Sequence, residues 1–94
     1  MAKVDLMLLD VALTGAAEVF GDEMFAVDMG ETFGCREADA IARLLAVGGY
    51  DVAAQVFLLG HARGDKPGDF HRDEDDERPM HEAEIRDYVR ALSE

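Results

Sequence analysis

A chain of 94 residues that is 49% hydrophobic and 32% charged is large enough for one small folded domain, residues 1–94, and too apolar to be a disordered segment. Its formal net charge of −12 repels nucleic-acid phosphates and anionic lipid, which excludes an ordinary DNA or RNA binder and a membrane-surface protein. One cysteine, Cys35, excludes an internal disulfide and a multi-thiolate zinc finger.

The charge is unevenly spread: −6 over residues 1–34, zero over 35–64 and −6 over 65–94. The only early apolar run, LMLLDVAL, contains Asp10 and follows Asp5. It is far short of the roughly 20 residues that cross a bilayer, and it lacks the features of a leader peptide. A reducing cytoplasm is the expected address.

In chain order, Val4, Leu6 and Leu8 alternate as a half-buried strand would, although Val4, Met7, Leu8 and Val11 also fit helical spacing. EVF and MFAVDM are separated by Gly21-Asp22, and Met29-Gly30-Glu31 reads as a turn. β-Branched and aromatic residues bracketed by glycine favour a small antiparallel β element over about 3–29. The expected class is therefore α+β, with an all-α chain as the alternative.

The middle is plainer. Ala38, Ile41, Ala42 and Leu45 recur at helical spacing, Asp39 and Arg43 form an i,i+4 pair, and Gly48-Gly49 ends the helix. Asp51 is placed to cap a second helix, so an αα-hairpin of about 35–47 and 51–63 follows. Val52, Val56, Phe57, Leu58 and Leu59 cover most of the second helix's circumference, as a helix buried on more than one side requires. They form the expected interaction surface, covered by a partner or by a second copy in a homodimer. An acidic loop at about 64–78 leads to a third helix at about 79–92, which starts at Pro79 and turns Ile85, Tyr88, Val89 and Leu92 to one face. His81 lies on that same face and reads as a packing residue.

The loop and its approach, HARGDKPGDFHRDEDDE, look most like chemistry. His61 and Asp65 lie four residues apart, and Asp69 and His71 follow the Pro67-Gly68 turn. Two imidazoles and two carboxylates could hold zinc, manganese or iron for a metal-dependent enzyme. The spacing matches no established metal motif, Gly64 interrupts the helix, and no outer layer of ligand-orienting groups is legible. The expectation is thus a solvated loop with no metal or other cofactor. Cys35 has no legible base beside it, and neither a phosphate loop nor a nucleophile elbow occurs, so no catalytic residue is assigned.

The segment ETFGCREADAIARLLAVGGYDVAAQVFLLGHARGDKPGDFH resembles one found in small accessory proteins of actinobacteriophages, mycobacteriophage-like in type. The resemblance is carried by Phe33, Cys35, Glu37, Gly60, His61, Ala62, Gly64, Asp65, Gly68, Asp69 and His71. It implies a phage setting and a host-cell cytoplasm without implying a reaction. The expected function is a non-enzymatic acidic interaction module that binds a host or phage protein, favouring a basic one. A DNA mimic inhibiting a nucleic-acid-binding protein is the alternative suggested by charge, and the metal-dependent enzyme is the other.

Overall fold

A computed structural model describes residues 5–29 and 32–94 and contains five helices: α1 (Leu6–Phe20), α2 (Glu23–Met29), α3 (Cys35–Val47), α4 (Asp51–Ala62) and α5 (Glu82–Leu92). Among the described residues there is no strand, only a single bridge between Arg72 and Pro79. The class is all-α, and the N-terminal β element is absent. Residues 3 and 4 of that expected element, and Gly30-Glu31 of the expected turn, lie outside the described residues.

The reason is local. Asp5 caps α1, its carboxylate accepting from the Met7 and Leu8 amides at 3.0 and 3.1 Å. The run that follows is mostly Leu, Met and Ala, which lose little rotamer freedom in a helix. Gly21 ends it, its amide donating to Ala17 O at 2.8 Å. Overlapping sets of apolar residues fit a strand and a helical stripe, and the cap decides between them.

α4 is the central element, packed by α1, α2, α3 and α5. Phe57 and Leu58 are fully buried with Leu45, Ile85 and Val89, so these two residues of the expected interaction surface face the chain's own core. Val52 is exposed, and Val56 and Leu59 are partly so. Phe20 reaches the core from α1 and meets Phe25, Phe57 and Phe33 edge-on at 5.5, 5.2 and 6.4 Å. That geometry suits the aromatic quadrupole. Gly60 lets α2 lie against α4: a Cβ there would stand 2.4 Å from the Ala26 carbonyl carbon. Gly49, with φ +93°, makes the tight turn between α3 and α4.

Helix ends differ in detail from expectation. Tyr50, not Asp51, is the N-cap of α4. α5 starts after His81, with Pro79 in the bridge before it. His81 is exposed, its ring Nδ1 2.8 Å from Glu84, and is not a packing residue.

Gly60→Ala is expected to destabilise by about 3 kcal/mol, because a clash with backbone outweighs the roughly 1 kcal/mol that alanine gains in helix propensity. Urea unfolding monitored by circular dichroism measures it.

Candidate functional site

The loop between α4 and α5 folds inward. Its organising residue is His71, which is fully buried. The His71 amide donates to Asp65 Oδ2 at 2.8 Å, and its ring Nδ1 lies 3.1 Å from the same oxygen. The other ring nitrogen, Nε2, lies 2.6 Å from Asp39 Oδ1 on α3. Asp39 Oδ2 in turn accepts from the Tyr88 hydroxyl of α5 at 2.6 Å. One imidazole thus ties the loop to α3 and, through Asp39, to α5.

Asp65 is also buried and faces two more groups. His61 Nε2, from the last turn of α4, lies 3.3 Å from Asp65 Oδ1. The Cys35 thiol, at the first position of α3, points at both Asp65 oxygens at 3.7 Å. The His61 and His71 rings stand edge to face, 4.9 Å apart. Cys35, His61, Asp65 and His71 each offer one donor atom, and these atoms all lie within 4.8 Å of one another.

The expected site residues divide accordingly. His61, Asp65 and His71 come together, and Asp69 does not: its Oδ2 accepts from the Lys66 amide at 2.7 Å and closes the surface turn. Cys35 takes the fourth place. Sequence reasoning missed it because it lies 26 residues before His61, and only the α3–α4 hairpin brings the two ends together. It missed Asp39 and Tyr88 for the same reason. Asp39 does not pair with Arg43, whose Nε donates to Leu92 O at 3.0 Å instead. The missing layer of orienting groups around the imidazole is present, assembled from α3 and α5.

The acidic run is not simply solvated either. Arg72 Nε donates to Asp76 Oδ1 at 3.1 Å, while Arg78 reaches Asp73 at 3.4 Å and Glu84 at 2.8 Å. Gly68, with φ +93°, turns the chain, and its amide donates to Asp76 Oδ2 at 2.9 Å.

Electrostatics bear on the chemistry. Burial, reinforced by Asp65 and Asp69, pushes the Cys35 thiol above its ordinary value. Its proton points at a carboxylate rather than an imidazole base, so a metal-free Cys35 is a poor nucleophile. Burial and the Asp39 carboxylate likewise raise Tyr88 far above the usual phenol range, so it remains a donor. The donor set of one sulfur, two imidazoles and one carboxylate suits a borderline-soft divalent metal.

Compared with known protein families, curated proteins and solved structures, the chain matches none. Most of the residues singled out between Phe33 and His71 in the sequence have a visible structural task. Cys35, His61, Asp65 and His71 form the cluster. Phe33 packs on Phe57 at 5.6 Å, and Glu37 accepts from the Gly34 amide at 3.0 Å. Ala62 is fully buried, Gly60 admits α2, and Gly68 and Asp69 shape the turn.

Tyr88→Phe is expected to cost about 1.5 kcal/mol, the value of a hydrogen bond to a charged group, while helix content is kept. Replacing His71 by alanine removes the ring that links Asp39 and Asp65 and leaves a cavity between two carboxylates. It should cost more, about 3 kcal/mol or above, and denaturant titration ranks the two. A pH effect follows from the surface pairs. Backbone donation from Glu77 lowers Asp73 below its ordinary 3.8, and the Arg78 side chain lowers Glu84 below 4.5. Both carboxyls bind protons less readily folded than unfolded. Their contribution is therefore present above those ordinary values and lost as pH falls through the depressed ones. Thermal melts at descending pH should show that loss, and Glu84→Gln should reduce it.

Proposed function

We propose that the chain is a non-enzymatic interaction module that docks a basic partner protein through α1, with the exposed face of α4 beside α2 and α5 as a second contact. The observation that carries this is α1 itself. No residue of this fifteen-residue helix is buried, and Leu6, Met7, Leu8 and Val11 are 75, 82, 66 and 68% exposed. A helix bare on several sides of its first two turns has its apolar surface free for something outside the chain.

Charge supports a basic partner over a second copy. Residues 5–29 contain six acids and no Lys or Arg, so a symmetric pairing of α1 helices would bring like charges together. Two shallow grooves of about 200 and 170 Å³ share Glu23, Val56 and Leu59, and Glu82 lines the second. The first groove also carries Arg63, so the second, between α4 and α5 with Glu23 and Glu82 at its rim, is the one that suits the aliphatic stem and cationic head of Lys or Arg. Val52, Val56 and Leu59, three residues of the expected surface, lie here.

Two further considerations weigh on function class. Among the described residues, no helix is long and apolar enough to cross a membrane. Asp73, Asp76 and Glu84 are committed to Arg72 and Arg78, which weakens a DNA-mimic reading that needs free carboxylates at phosphate-like intervals. A phage setting, with a host protein as partner in the host cytoplasm, is supported by the resemblance of the Phe33–His71 segment.

The test compares wild type with the double variant Leu8→Glu, Val11→Glu, whose sites are exposed and whose fold should be intact. Affinity capture from actinobacterial lysate is expected to recover a stoichiometric basic protein with wild type only. Its association rate should fall steeply with salt. Equal recovery with both proteins would overturn the assignment of α1. A wild-type dimer in light scattering that the double variant abolishes would replace the basic partner by a second copy.

A further inference from the structure

We propose that Cys35, His61, Asp65 and His71 bind one zinc ion as a closed, structural centre, with Asp39 and Tyr88 as positioning residues. This is independent of the docking role of α1. Three observations converge on it.

The first is distance. Zinc with tetrahedral nitrogen, oxygen and sulfur donors separates N from O by about 3.3 Å and S from O by about 3.5 Å. Around Asp65, His71 Nδ1 lies 3.1 Å from Oδ2, His61 Nε2 3.3 Å from Oδ1 and Cys35 Sγ 3.7 Å from both oxygens. With all four donor atoms within 4.8 Å of one another, small side-chain adjustments would bring them onto one ion.

The second is the orientation of His71. Its Nδ1 faces Asp65 inside the cluster at 3.1 Å, while Nε2 faces Asp39 outside it at 2.6 Å. Zinc fits that division. It takes Nδ1 together with Asp65, and the single remaining proton sits on Nε2 and is donated to Asp39. That is the carboxylate–histidine–metal chain found where a protein fixes a ligand's tautomer. The Tyr88 hydroxyl, donating to Asp39 at 2.6 Å, orients the carboxylate in turn.

The third is charge and closure. On binding, the Cys35 thiol gives its proton to solvent and ligates as thiolate, Asp65 ligates as carboxylate, and both imidazoles are neutral ligands. The two negative ligands balance the dication, so the buried centre carries no net charge and avoids the cost of an isolated buried ion. His61, Asp65 and His71 are 3, 7 and 0% exposed. Four protein donors complete the tetrahedron and leave no position for substrate, which makes the centre structural rather than hydrolytic. It would join the start of α3, the end of α4 and the loop in a chain whose core is small.

The experiment titrates the metal-free full-length protein with zinc, and separately with cobalt as a spectroscopic substitute. One equivalent of zinc is expected to bind, and zinc in hundredfold excess over its dissociation constant should raise the melting temperature by roughly 10 °C. Cobalt should give intense tetrahedral visible bands and a thiolate-to-metal charge-transfer band in the near ultraviolet. Cys35→Ser should lose that band and bind much more weakly. Asp39→Asn should keep the band while affinity falls about 10–100-fold, which separates a positioning role from a merely structural one. Should a variant fail to fold, slowed alkylation of wild-type Cys35 in the presence of zinc reads out the same bond. Absence of one-equivalent binding, a cobalt spectrum without the sulfur band, or unchanged binding by Cys35→Ser would each overturn the proposal.

Discussion

Placing a buried imidazole between a buried and a half-buried carboxylate removes much of their contact with water, which is tolerable only when each side of each group is answered. At His71 they are answered by Asp39 on one side and Asp65 on the other, with Tyr88 behind Asp39 and with His61 and Cys35 around Asp65. The loop depends on this arrangement. Without it the segment from Gly64 to Pro79 would hold only turn hydrogen bonds and arginine pairs at its surface. With it, the loop closes the end of the α3–α4 hairpin and meets α5.

The apolar architecture serves that end of the molecule. Small residues (Ala38, Ala42, Ala54, Ala62) are fully buried between the helices. The short turn at Gly48-Gly49 makes α3 and α4 antiparallel neighbours, so the first residue of α3 and the last turn of α4 meet at one end. This brings Cys35 to His61. The opposite side of the molecule is arranged differently: α1 is held at its C-terminal end by Phe20 and near its middle by the Thr14–Tyr50 hydroxyl pair at 2.7 Å. Its first turns are left bare. A polar, internally satisfied end thus contrasts with an apolar arm whose first turns are exposed.

Much of the hairpin is legible in the sequence because its evidence is local. Ala38, Ile41, Ala42 and Leu45 mark one stripe, and Gly48-Gly49 marks its end. The N-terminal region misleads because Val4, Leu6 and Leu8 fit a strand while Val4, Met7, Leu8 and Val11 fit a helix. The cap at Asp5 and the helix-favouring run after it carried the better signal. The site is half legible. His61 and Asp65 meet, as their spacing of four suggests, although Asp65 lies beyond the end of α4 at Ala62. That His71 should be buried cannot be read from a stretch as polar as PGDFHRDEDDE, since its burial is earned by groups on α3 and α5, 32 and 17 residues distant. Cys35 and Asp39 are recognisable as site residues only once the hairpin is closed.

Amide hydrogen exchange at His71 is the most direct measurement of whether its carboxylate clamp organises the loop. If the clamp holds, the His71 amide, donated to Asp65, exchanges as slowly as that of Leu58 in the core of α4, while Glu74 in the same loop exchanges rapidly. Exchange at His71 as fast as at Glu74 would contradict the clamp and, with it, the folded loop.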